Sequence, residues 1–313
     1  MVVGSRARGA RRGCPARYLC AVGVPRDPEE ATAVAAPVAA ELPAATRMGS
    51  VALIVADLDR SLAYYRDSIG LELLSRDDGR ASLGAGGNEL LALEEVRGAE
   101  SSHGYTGLYH FALLVPERRD LARWIAHAAR DRVALTGASD HFVSEALYLR
   151  DPDHHGIEIY WDRPREVWEG QVGSRMTSLP LDIDAIVAEL DDPETEPFDG
   201  LPPGTTMGHV HLKVADVPET VRFYRDLLGF GLMAQLGGSA AFLAAGGYHH
   251  HVGANSWESA GAPPPPEGSA ALRHATIVVP SDSDRDEVLA RVGKADGNVV
   301  RDPSGNALVL AVA

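Results

Sequence analysis

The chain has 313 residues, about twice the ~150 of a typical domain, which points to two domains or one repeated architecture. Hydrophobic residues make up 45% and charged residues 23%, a balance that excludes wholesale disorder, and no apolar run reaches the ~18 residues of a membrane span. The net charge of −15 is uneven: residues 1–47 hold seven Arg and four acids, so residues 48–313 carry −18, a field that repels phosphate backbones and argues against nucleic acid as a partner.

Cys14 and Cys20, the only cysteines, lie in the basic leader. The body therefore holds neither a disulfide nor a cysteine metal site, and a reducing cytoplasm fits. The leader, residues 1–47, is rich in Ala, Arg and Pro and reads as a disordered tail or an upstream start, with Met48 opening the folded part. A targeting peptide is the alternative, but Pro25, Asp27, Pro28, Glu29 and Glu30 interrupt any apolar stretch.

Beyond the leader the chain repeats itself. Residues 49–70, GSVALIVADLDRSLAYYRDSIG, match residues 208–229, GHVHLKVADVPETVRFYRDLLG, with Asp57 and Asp216 in register. Alternating Val51, Leu53 and Val55, and Val210, Leu212 and Val214, predict a half-buried strand. Asp57 and Asp216 then stand where a helix N-cap belongs, and Gly closes each helix. Strand-like runs follow: LELLSR, RASLGA and ELLALEEV in the first half, AAFLAAG and HHHVGANS in the second. A second unit in each half opens with GLYHFALLVPERRDLARWIAHA or ALRHATIVVPSDSDRDEVLARV. It ends in YLRDPDHHGIEIYW or VVRDPSGNALVLAV, where Asp151 corresponds to Asp302.

The expected fold is thus α+β, four βαβββ units in two tandem domains, 48–163 and 207–313, whose curved mixed sheets enclose a cavity. Residues 164–206, rich in Pro, Asp and Glu with one helix-like piece, PLDIDAIVAEL, form a connector that covers a surface. ESAGAPPPPEG at 258–268 is a Pro-rich surface loop.

The four units allow one strand position to be compared four times. The first-strand position is Ser50, His110, His209 and His274 in turn; the last-strand position is Glu158 in the second unit and Val309 in the fourth. Two imidazoles and a carboxylate on three strands can hold one divalent metal with a face left open. Neither half has all three, but His209 of the third unit with His110 and Glu158 of the second is complete. The site is therefore expected across the halves, with His274 structural because its carboxylate partner is replaced by Val309. A strand histidine alone is more simply a core residue; two histidines and a glutamate in equivalent positions outweigh that reading. If His249, His250 and His251 lie on a strand, either the outer two or His250 alone face the cavity, and a surface patch is the bland alternative. Trp161 and Trp168 read as cover for the cavity or an interface.

On the segments TGLYHFALLVP, HFVSEALYLRDPDHHGIEIYWDRP, GHVHLKVADV and GGYHHHVGANSW, the sequence resembles the vicinal oxygen chelate superfamily and, within it, the two-half catechol 2,3-dioxygenases. The resemblance spans residues 48–313 and implies tandem domains of that superfamily. It implies Fe(II) held by His110, His209 and Glu158, and His250 as acid/base at its ordinary pKa of ~6.5, with His249 and His251 as neighbouring matches. Tyr148 would bond a substrate oxygen, and His141 would stand upstream of it. The implied substrates are a small aromatic diol and O2, the product is of the 2-hydroxymuconic semialdehyde type, and the setting is aromatic hydrocarbon catabolism by a homo-oligomer. His154 and His155 replace the family's usual Gly-Asn and read as a solvent-facing turn. Two alternatives on the same scaffold are a glyoxalase-like isomerase or lyase, drawing a second carboxylate from Glu94 or Glu95, and a non-catalytic binding protein.

Overall fold

The computed structural model describes residues 40–313. The expected disorder of residues 1–39, and the targeting alternative, lie outside the described residues. Residues 40–47, read with the leader, are packed: Leu42 is buried and its N–H donates to the Gly229 carbonyl at 2.9 Å. The fold therefore begins before Met48.

In the first unit β1 (Arg47–Val55) leads into helix α1 (Leu58–Ala63), whose first turn Asp57 caps by accepting from the Arg60 N–H at 2.9 Å. The helix widens into a π-helical turn, Tyr64–Ile69, which ends at Gly70 with φ 90°, a left-handed conformation suited to glycine. β2 (Glu72–Asp77), β3 (Arg80–Ala85) and β4 (Asn88–Glu95) complete the unit. The second unit is β5 (Gly107–Leu114), α2 (Arg118–Asp131), β6 (Gly137–Asp140), β7 (Ser144–Arg150) and β8 (Gly156–Asp162).

Three short helices, α3 (Arg165–Trp168), α4 (Val172–Arg175) and α5 (Ile183–Val187), punctuate the connector. The third unit repeats the first: β9 (Thr206–Lys213), α6 (Val217–Arg222) capped by Asp216, a π-helical turn at Phe223–Leu228, then β10 (Gly231–Leu236), β11 (Ala240–Ala244) and β12 (Val252–Asn255). The fourth has β13 (Leu272–Val279), α7 (Asp282–Val292), β14 (Val299–Arg301) and β15 (Ala307–Val312). It differs from the expected βαβββ in having two strands after its helix; a single bridge between Asp296 and Val299 stands near the missing one.

Two sheets result, one ordered β10-β11-β12-β9-β5-β8-β7-β6 and the other β14-β15-β13-β1-β4-β3-β2. Each joins one unit from each half. The second and third units meet through antiparallel β5 and β9, and the first and fourth through antiparallel β1 and β13. Contacts within each half run through the Asp turns. The buried Tyr65 hydroxyl donates to Asp151 Oδ2 at 2.8 Å, and the Ala56 N–H to Asp153 Oδ2 at 3.1 Å. Their counterparts are Tyr224 on Asp302 at 3.4 Å and the Ala215 N–H on Ser304 Oγ at 2.9 Å.

One turn residue departs from the solvent-facing reading. His155 is buried, its Nδ1 2.9 Å from Asp151 Oδ2, the place that the Asn306 amide takes on Asp302. Burial pushes Asp151 up, but the imidazole beside it holds it below its ordinary value; burial raises Asp302, whose side-chain partner is a neutral amide. His154 does remain exposed to solvent in part, in a left-handed conformation at φ 69° where the fourth unit has Gly305 at φ 85°. His154→Gly is therefore expected to raise stability by about 0.5–1 kcal/mol, the left-handed penalty less the entropy of the added glycine. The denaturant midpoint measures it, and an unchanged midpoint contradicts the strain.

Candidate metal centre

The centre of the eight-stranded sheet brings the three predicted positions together. Ala112 of β5 pairs with His209 of β9 on one side and with Glu158 of β8 on the other, while His110, two residues before it, shares its face. The methyl group of Ala112 leaves room for the flanking side chains to lean over it. His110 Nε2 lies 3.0 Å from Glu158 Oε2, His209 Nε2 lies 3.1 Å from the same oxygen, and the two nitrogens are 3.3 Å apart. Among the described residues this is the group of ligand-type side chains placed to hold a metal ion, and all three are buried. Three adjacent positions around an octahedral ion with bonds of about 2.1 Å are about 3.0 Å apart, so the triangle has the dimensions of one open-faced donor set.

Charge fits the same use. Burial pushes the Glu158 carboxyl up, yet the imidazoles of His209 and His110 hold it well below its ordinary value. Burial lowers His209, which keeps its ring neutral and its lone pair available. Because room over Ala112 is what lets the triangle close, Ala112→Leu is expected to weaken metal retention about 10–100-fold, the equivalent of the 1–3 kcal/mol that overpacking costs. Metal titration of the refolded variant measures it, and wild-type affinity contradicts the packing account.

The remaining predicted residues flank this triangle. Tyr148 of β7 pairs with Glu158, and its ring centroid is 5.5 Å from that of His110. Its hydroxyl lies 2.6 Å from His141 Nε2, and His141 Nδ1 lies 2.7 Å from the Thr177 carbonyl of the connector. On the other side the His250 ring is 4.0 Å from that of His209 and 5.1 Å from Phe242. Residues 249–251 form a bend before β12 rather than a strand, and all three are buried, so the surface-patch alternative does not hold. Nor does His250 keep its ordinary pKa: burial, then the neighbouring imidazoles of His209 and His249, pull it well down.

His274 pairs with Ala52 in the other sheet, away from the triangle. Glu94 and Glu95 also belong to that sheet. Glu94 pairs with Arg80 and Arg273, and Glu95 accepts the Leu58 N–H at 3.0 Å, so neither supplies the second carboxylate that a glyoxalase-like centre was expected to draw from them. Trp168 of α3 closes over His249 at 5.5 Å, whereas Trp161 packs partly buried against the core.

Two residues beside the site, His211 and Gly253, are not singled out by the sequence reading. His211 pairs with His110 across β9 and β5, its ring 5.0 Å from that of His110, and its buried Nε2 has no hydrogen-bond partner. The i, i+2 spacing from His209 would have placed it on the same face. Gly253 beside it has no side chain for a physical reason: a Cβ there would come within 2.8 Å of the His211 ring.

Comparison with known proteins identifies the family. The model of the Glyoxalase/Bleomycin resistance protein/Dioxygenase superfamily matches residues 47–159 and 206–307, and the chain belongs to that superfamily. It is 40% identical over 281 residues, 85% of this chain and 97% of the relative, to the catechol-2,3-dioxygenase of Bacillus subtilis strain 168. In fold it resembles a candidate dioxygenase of Bacillus subtilis subsp. subtilis str. 168, with a TM-score of 0.59 at 15% identity over 88% of this chain and 86% of that one. A glyoxalase I variant from Zea mays gives a TM-score of 0.50 at 17% identity over 85% and 94% of the two chains.

Proposed function

We propose that the protein is an Fe(II)-dependent extradiol dioxygenase that opens the ring of a catechol, or of a substituted catechol, beside its two hydroxyls with O2. The product would be of the 2-hydroxymuconic semialdehyde type. The observation that carries this reading is the buried triangle of His110, His209 and Glu158 with His250 on one flank and Tyr148 on the other. The 40% identity to a catechol-2,3-dioxygenase supports it.

His110, His209 and Glu158 would hold the metal. Bound Fe(II) would supply open adjacent positions for both substrates and the electron transfer that redox-inert zinc cannot. The side chains around it divide the proton work. His250, neutral through burial, is placed to take a hydroxyl proton from the substrate and to return it later. Burial keeps the Tyr148 phenol protonated. With His141 donating from Nδ1 to the Thr177 carbonyl, its Nε2 accepts the Tyr148 proton, and the phenol oxygen is free to accept from a substrate hydroxyl. Tyr109, Phe242 and Trp257, grouped around His211 with Tyr109 and Trp257 edge to face at 5.5 Å, offer flat apolar walls to an aromatic ring.

Anaerobic loading of the full chain with ferrous iron, followed by catechol in air, is expected to give a yellow ring-opened product. No product across a panel of substituted catechols would overturn the reading. Turnover of a thiol adduct with Ni(II) or Zn(II) would favour a glyoxalase-like enzyme, and protein that retains no metal would favour a binding protein.

A further inference from the structure

Resting on the reading of His250 as the base, we infer that Asp162 and His249 are positioning residues that decide which nitrogen of His250 is left bare. Asp162 ends β8, four residues after Glu158 and on the same face of the strand. Its Oδ1 lies 2.8 Å from His249 Nε2. A carboxylate can only accept, so His249 carries a hydrogen on Nε2, and a ring whose single hydrogen sits there is bare at Nδ1. That Nδ1 faces His250 Nδ1 at 2.8 Å. Two bare nitrogens cannot bond, so the hydrogen between the rings belongs to His250 Nδ1. His250 Nε2 is then the lone-pair end, and among the described residues no protein group bonds it. This is the tautomer a base needs; the opposite one would present an N–H to the substrate and could accept nothing.

The carboxylate is itself held in place. Tyr248 donates its hydroxyl hydrogen to Asp162 Oδ2 at 2.8 Å, and Tyr160 donates in turn to the Tyr248 oxygen at 2.8 Å. Trp168 closes over His249 with its indole N–H on the Arg163 carbonyl at 2.8 Å, so the arrangement is shielded by the connector. Tyr160 donates to Tyr248 and Tyr248 to Asp162 on one side, while His250 donates to His249 and His249 to Asp162 on the other, so the carboxylate accepts from both sides and one placement of hydrogens is consistent. An amide at position 162 breaks that consistency. Its carbonyl would keep the Tyr248 hydroxyl, its NH2 would face His249 Nε2, and the hydrogens on both imidazoles would move to the other nitrogen.

The test uses the full-length chain, labelled with 15N-histidine and stripped of metal, with the His250 signals identified by their loss in His250→Gln. The expected wild-type spectrum has His250 protonated at Nδ1 and bare at Nε2. Asp162→Asn is expected to exchange the two, and in iron-loaded protein to lower kcat on catechol about 10–100-fold with iron content and KM unchanged. Tyr248→Phe, which leaves the acceptor in place, is expected to keep the wild-type tautomer. A wild-type His250 protonated at Nε2, or an Asp162→Asn spectrum like that of wild type, overturns the inference. Absence of catechol turnover by the wild-type protein instead overturns the functional reading, since the tautomer measurement does not depend on activity.

Discussion

Glu158→Ala is expected to abolish retention of the metal while leaving the fold in place. The carboxylate is the sole anion of the triangle, and both imidazoles converge on its Oε2 at 3.0 and 3.1 Å. Loss of an outer partner of a metal ligand costs about 10–100-fold in affinity; loss of the ligand that carries the charge should exceed the upper end of that range. Glu158→Gln separates charge from shape, because the amide fills the same space and can still meet the imidazoles. It is expected to lose nearly as much metal as alanine. His274→Ala, in the other sheet, should retain the wild-type stoichiometry. Elemental analysis after dialysis measures all three, and a metal content in Glu158→Ala equal to that of wild type, or an empty site in His274→Ala, would show that the ligands lie elsewhere.

The sequence made this site legible because the chain repeats. Four copies of one strand position place His110 and His209 in equivalent positions with a single Glu158 to complete them, and the incomplete set in each half favours a site across the halves. The antiparallel pairing of β5 with β9 brings those positions together. What the repeat could not show was whatever the copies do not share. The solvent-facing reading of His155 fails because contact with Asp151 buries it, as contact with Asp302 buries Asn306 in the fourth unit. The strand expected from the His249–His251 run fails because β12 starts only at Val252, after a bend.

Depressed basicity of His250 was equally invisible, since it arises from enclosure by rings brought from β9 and the bend before β12. The connector shows the same limit most clearly. Its composition marks it as cover, but its contribution to the site is a carbonyl from Thr177 on His141 and an indole from Trp168 over His249. A backbone oxygen leaves no trace in residue type, so no reading of composition could have assigned it.

The second large effect is expected at His250. Its ring is buried against His209, His249 and Phe242, so alanine would leave a cavity and confuse a packing loss with a chemical one. His250→Gln keeps most of the volume and removes the basic nitrogen. On the proposed reading the metal and the catechol still bind, while proton transfer to and from the substrate loses its carrier, which is worth about 10²–10⁴-fold in rate. The expected result is therefore a kcat lower by that factor with iron content and KM close to wild type. The sign of the pH response follows from the direction of the shift. Because enclosure lowers the His250 pKa, the ring is already neutral at pH values where a free imidazole would be protonated, and acidification toward ~6.5 should leave wild-type kcat flat rather than halve it. Single-turnover rates of wild type and His250→Gln across that range distinguish the two. A variant that turns over at the wild-type rate would move the proton transfer to another group, and Tyr148, on the opposite flank of the triangle, is the side chain already placed to carry it.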